Sequence, residues 1–223
     1  FGHLAFLSSL SEEGLSGLTS DQLQNIPPPD DANLGYWSNF LENVKEQSAN
    51  SEAPPEIVGL LSNDQVGLIL SSFELSSIVN SEMISEISPE AIAGLDFASL
   101  DHGGGLLIDF WPGLKSDQLS ELNSDFIENI DEYTMPMINP ETMSGFEVDD
   151  LTHLSPGSFS GMTQQHFLNL SEDLLGSLSS DYIKNLPEDI FSQSSPSFHE
   201  ACEKITQLSD EALTGLSLDL VQN

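Results

Sequence analysis

The sequence contains no arginine and only four lysines, Lys45, Lys115, Lys184 and Lys204, against 37 acidic side chains, so its formal net charge is −33. Phosphate backbones are bound through Lys and Arg that displace condensed counterions, which excludes nucleic acid as a partner and an anionic membrane surface with it. Cysteine is almost missing as well. Cys202 stands alone, so no intramolecular disulfide can form, and the residue reads as a small buried hydrophobe. Long apolar runs are absent: Val66–Leu70 and Leu106–Trp111 fall far short of the roughly 18 residues of a membrane span and read as short core segments. The chain opens at Phe1 without an initiator Met or a signal peptide and stops at Asn223 within a repeating pattern, which reads as a processed product or a piece of a longer chain.

What is present is a stripe. From Leu114 the apolar positions run Leu114, Leu119, Leu122, Ile127, Ile130, Met135, Ile138, Met143, Phe146 and Leu151, then Leu154, Phe159, Met162, Phe167, Leu170, Leu175, Leu178, Ile183, Leu186 and Phe191. Spacings of five and three alternate over all twenty positions, a run that chance does not give at 38% hydrophobic content. The same spacing occurs at Leu7, Leu10, Leu15, Leu18, Leu23 and Ile26, at Val79, Ile84, Ile87, Ile92, Leu95 and Leu100, and at Leu208, Leu213, Leu216 and Val221. An eight-residue period therefore covers most of the chain.

Eight residues at about 100° each drift by roughly 80° per repeat, so one continuous helix would smear the stripe around its circumference. The helix has to break once per octad. The breaks are legible in Leu170-Ser171-Glu172-Asp173, Leu186-Pro187-Glu188-Asp189 and Ile138-Asn139-Pro140-Glu141: a capping Ser or Asn, Pro in the first turn, and acids at the positive end of the helix dipole. Each octad is expected to be one short capped helical turn whose two apolar residues, three apart, share an inner face. Strict alternation is missing and β-branched residues are scarce on the stripe, which argues against strands. Units this small cannot bury an apolar face alone, so the expected fold is an all-α solenoid or superhelix of short capped helical turns. The Ser, Asp and Glu residues then serve as caps and a solvated outer face.

Two segments leave the octad and read as ordinary amphipathic helices. After Pro27-Pro28-Pro29, Asp30 or Asp31 can cap a helix carrying Trp37, Phe40, Leu41 and Val44; later, Ser197-Phe198-His199-Glu200 has the form of a capping box ahead of Ala201, Cys202 and Ile205. No interval has the length or composition of an interdomain linker. One elongated domain over residues 1–223 is expected, with arrays at about 4–26, 79–100, 112–191 and 205–223 and helical insertions at about 31–47 and 197–207.

The phrase Leu-Ser-x-Glu/Asp-x-Leu-x-x-Leu, as in Leu10-Ser11-Glu12-Glu13-Gly14-Leu15-Ser16-Gly17-Leu18 and, with Ile at two of the apolar positions, Ile87-Ser88-Pro89-Glu90-Ala91-Ile92-Ala93-Gly94-Leu95, resembles the mesothelin, stereocilin and otoancorin group. That resemblance implies an extracellular or surface-attached helical superhelix with a role in adhesion or in an acellular gel, and it assigns no functional residue.

Signals of catalysis are weak. His102-Gly103-Gly104-Gly105 has the look of an oxyanion-hole strand, but the Gly-x-Ser-x-Gly elbow such a hydrolase needs is absent, since Gly157-Ser158-Phe159-Ser160-Gly161 has Phe at its centre. The glycines read instead as a tight connection needing positive φ or close backbone approach. His3, His102, His153, His166 and His199 show no zinc-ligand spacing and read as surface residues. No catalytic, cofactor-binding or metal residue is expected. Asp30-Asp31, Asp149-Asp150 and the group Asp125, Glu128, Asp131 and Glu132 lack the order of a calcium loop and are compatible only with weak, nonspecific calcium binding. Asn169-Leu170-Ser171 is an N-glycosylation sequon, with Asn169 on the face expected outward.

These features point to a noncatalytic structural or adhesive protein of the extracellular space or cell surface, associating with itself or with other extracellular proteins. The alternative is an intracellular scaffold that draws basic peptides to its negative surface. The apolar stripe continues to both ends of the chain, so Leu4 and Leu7 at the front and Leu213, Leu216 and Val221 at the back are the expected assembly ends, where heterologous contact would build a filament.

Overall fold

The computed structural model describes residues 6–50, 56–101 and 105–217. Among these residues the chain is all-α, made of short α- and 3-10 helices with no strand. It forms two compact units, Phe1–Gly113 and Leu114–Asn223, where the sequence suggested one domain. The division falls at Leu114, where the uninterrupted stripe begins.

Local chemistry sets the helix starts. Ser11, Thr19, Ser62, Asn80, Ser88, Ser171 and Ser209 each accept the backbone N–H three residues on, and Asn123, Asn139 and Ser155 the N–H two residues on. The stops are equally regular. In Leu119/Leu122, Ile127/Ile130, Met143/Phe146, Phe159/Met162 and Phe167/Leu170, the N–H of the second residue donates to the carbonyl of the first at 3.1 to 3.3 Å. Ile87, Ile138, Phe146, Met162 and Leu178 then adopt extended backbone with ψ between 132° and 145°, so the helix cannot continue. Several of these turns, including Pro140–Gly145, Val148–Thr152 and Pro156–Gly161, are 3-10 rather than α. So short a segment closes its first bond with fewer residues as i→i+3.

In the second unit every stripe residue from Leu114 to Phe191 is buried except Leu151, which is half-buried. The residue just before the first apolar of an octad is often buried too, as at Phe126, Leu174, Tyr182 and Ile190. Phe159 and Tyr182 meet with ring centroids 4.8 Å apart, and Phe167 and Phe191 at 5.4 Å. Pro140–Gly145 packs against Ser116–Leu119 and Gln164–Leu168, which begin 24 residues before and after it, and Pro156–Gly161 packs against Ser180–Lys184, also 24 residues on. Backbones approach closely at these contacts. A Cβ on Gly145 would lie 2.1 Å from the Ser116 carbonyl oxygen, and one on Gly161 would lie 2.3 Å from that of Glu132, so only glycine fits.

The first unit is organised around the helix Leu34–Asn50, which starts and ends three residues later than the expected 31–47. Asp30 accepts the N–H groups of Ala32 and Asn33, which makes a turn before the helix. Trp37, Phe40, Leu41 and Val44 are buried, and the Trp37 indole donates to the Pro27 carbonyl at 3.2 Å. The helix Asn63–Ser71 buries Gln65, Val66, Ile69 and Leu70 and packs on Phe73–Ser76, Pro89–Ala93 and Phe97–Leu100. His102, Gly103 and Gly104 lie outside the described residues; Gly105 has φ +79°, a conformation glycine reaches without strain.

Two expectations need correction near the C-terminal end of the second unit. The helix Phe198–Ile205 forms, but Ser197 makes no side-chain cap bond, because its ψ of 15° departs from the extended backbone that aims a capping oxygen at the helix. Cys202 is half-buried rather than buried, since Ala201 takes the inward position on that helix.

Candidate functional site

The most distinctive chemistry of the molecule is a set of buried polar side chains that reach backwards along the chain to main-chain carbonyls. Three occupy the same octad position, directly before the first apolar residue. Thr142 Oγ1 donates to the Leu114 carbonyl at 2.9 Å, His166 Nε2 lies 2.8 Å from that of Ile138, and the Tyr182 hydroxyl lies 2.7 Å from that of Leu154. In every case the acceptor is 28 residues earlier, on the second apolar residue of an octad. The Tyr182 hydroxyl also lies 2.8 Å from the Leu151 carbonyl, so one proton is shared between two acceptors. Burial pushes the Tyr182 phenol above its ordinary pKa. Lys204 Nζ makes a comparable tie to the Leu170 carbonyl at 2.7 Å.

The first unit holds a counterpart. Gln65 is 1% exposed, accepts the Ser62 N–H through Oε1, and donates through Nε2 to the carbonyls of Leu23 and Ile26 at 3.0 and 2.8 Å. A capping box and a long-range tie are made by one side chain. His166 repeats this arrangement: Nδ1 faces the Thr163 N–H at 2.9 Å and the Thr163 hydroxyl at 2.8 Å, while Nε2 faces Ile138. Expected at the surface, His166 is in fact 1% exposed, and desolvation lowers its pKa below the usual histidine value. Its place in the octad, immediately before Phe167, carried the missed signal.

Three of the carboxylates weighed for calcium, Asp30, Asp131 and Asp150, hold the backbone. Asp131 accepts from the Tyr133 and Thr134 N–H groups; burial pulls its pKa upward, but these bonds outweigh it and the net shift is downward. Asp150 accepts the Glu147 N–H, and its pKa is raised mainly by desolvation. Glu128 pairs with His153 at 3.0 Å, both exposed. Among the described residues no group of three or more His, Cys, Asp or Glu side chains is placed to hold a metal ion, and no helix is long and apolar enough to cross a membrane.

Asn169 follows the helix Gln164–Leu168, half-buried, with its amide donating to the Gln165 carbonyl at 2.9 Å. Of the expected assembly ends, Leu4 and Val221 lie outside the described residues; Leu7 is buried, Leu216 is half-buried and Leu213 is 37% exposed. A groove of about 730 Å³ lies in the first unit between Phe6, Leu18, Leu23 and Ile26, with Asp21 and Asp30 on its lining. No family model matches the chain, and no curated protein matches it either.

Proposed function

We propose that this protein is a noncatalytic structural element, extracellular or surface-attached, whose octads coil into a solenoid of three octads per turn. The contacts at 24-residue offsets support the coil, and the resemblance to the mesothelin, stereocilin and otoancorin group supports the location. One observation carries the noncatalytic reading: Gln65, Thr142, His166 and Tyr182, four buried polar side chains, bind main-chain carbonyls rather than converging on a common point. Such groups fix a shape. The acidic outer surface, at net −33, is then the face offered to protein partners or to further copies of the chain.

Like charge opposes self-association until it is screened. Sedimentation across a salt series should show association that grows with ionic strength and is weakened by Leu213→Glu; a monomer at every salt and protein concentration removes the self-assembling part of the proposal. Recovery of the native protein solely from cytosol removes the extracellular part. A second reading, a scaffold for basic peptides, is favoured by the apolar groove with Asp21 and Asp30 in its lining. Saturable binding of a Lys- and Leu-rich peptide that Asp21→Asn and Asp30→Asn abolish would decide for it.

A further inference from the structure

His166 is the one ring among the ties whose ordinary pKa lies near neutrality, and its two nitrogens have opposite duties. Nε2 faces a carbonyl, which can only accept, so Nε2 carries the proton. Nδ1 faces the backbone N–H of Thr163, which can only donate, so Nδ1 must be bare. The neutral Nε2–H tautomer meets both demands; in the imidazolium a proton on Nδ1 would point at the Thr163 N–H and forfeit that bond, with only the Thr163 hydroxyl at 2.8 Å left to accept it. Gln65 fills the same role in the first unit with an oxygen and an NH₂ that never titrate.

We propose that His166 is an acid-operated latch: its neutral ring ties the helix Gln164–Leu168 to Ile138 while accepting the Thr163 N–H at the helix start, and its protonation breaks the Thr163 bond and releases that helix start.

No carboxylate is poised to rescue the charged ring. The elements packed on this helix are Pro140–Gly145, Glu188–Phe191 and Phe198–Ile205. They carry Glu141, Glu188, Asp189, His199, Glu200 and Glu203, all exposed, together with half-buried Cys202 and half-buried Lys204, whose ammonium is held on the Leu170 carbonyl. The helix itself carries no other titratable group. The sign follows from linkage. The folded-state pKa lies below the ordinary 6.5, so below that pH the unfolded chain binds a proton the folded chain refuses. The latch therefore contributes fully above about pH 6.5 and is lost as pH falls from there toward the lowered folded value.

The test compares urea unfolding of the full chain and of His166→Gln, the substitution that copies Gln65, between pH 7.5 and 5. In the wild type the unfolding constant should rise by up to about tenfold per pH unit below 6.5 relative to the variant. The other four histidines are common to both proteins and cancel in the difference. Parallel pH curves would overturn the proposal. Ring ¹⁵N shifts of wild-type His166 give an independent decision should the variant fail to fold. A neutral Nε2–H ring that gains its proton together with loss of Thr163 amide protection supports the latch; an Nδ1–H tautomer, or protonation with Thr163 protection intact, rejects it.

Discussion

The two units solve the same problem with different interruptions. In Leu114–Asn223 the stripe runs unbroken to Phe191, and neighbouring turns are joined at the same octad position by Thr142, His166 and Tyr182, with Gly145 and Gly161 where backbones nearly touch. In Phe1–Gly113 the octads are interrupted by the 17-residue helix Leu34–Asn50 and by Asn63–Ser71, and the aromatic anchors Trp37 and Phe40 sit on the first of these. The first unit has close-approach glycines as well, at Gly59 and Gly113, but its long helix buries large rings on its own 3.6-residue face.

Glycine substitutions sharpen that contrast most. Gly145→Ala in the second unit forces a Cβ against the Ser116 carbonyl and should cost about 3 kcal/mol. Gly67→Ala, inside the helix Asn63–Ser71 with nothing within 4 Å of the new Cβ, should instead gain about 1 kcal/mol. Urea denaturation gives both signs, and a neutral Gly145→Ala would mean the turns are not in close register.

The ties come next. Tyr182→Phe keeps the ring on Phe159 but strips a donor from the half-buried Leu151 and the buried Leu154 carbonyl, for an expected loss of about 2 kcal/mol. A loss confined to a few tenths would show that water replaces the hydroxyl and that the ties are incidental.

Caps give the smallest effect. Ser171→Ala removes a bond to the Leu174 N–H and should cost about 1 kcal/mol. Ser197→Ala removes no cap bond and should change stability by less than about 0.5 kcal/mol. Equal costs at the two serines would contradict the cap assignment.

Much of this was legible in residue order. Nearly every residue of the five/three stripe of the second unit is buried, because a three-residue step is one tight helical turn and a following extended residue aims the next pair back to the same side, but the spacing missed others such as Phe126, Leu174, Tyr182 and Ile190. Caps such as Ser11, Ser88 and Ser171 were equally readable, since their chemistry is local. Ser197 misled because capping depends on ψ as well as on residue type. His166 misled because residue type by itself gives no sign of burial: its place before Phe167 was the one local signal, and its partners at Thr163 and Ile138 lie on two different segments that only packing brings together. The helix Asn63–Ser71, with Gln65 among its buried residues, was visible only as a short apolar segment.

By itself, then, the sequence determined the helical class, the acidic surface and the rhythm of starts and stops, all of which follow from charge, capping chemistry and spacing along one chain. The tertiary structure decided which octad meets which, where a glycine is obligatory, and which polar side chains are sealed inside, because those depend on a carbonyl 28 to 42 residues away being within about 3 Å, a distance that no local pattern encodes.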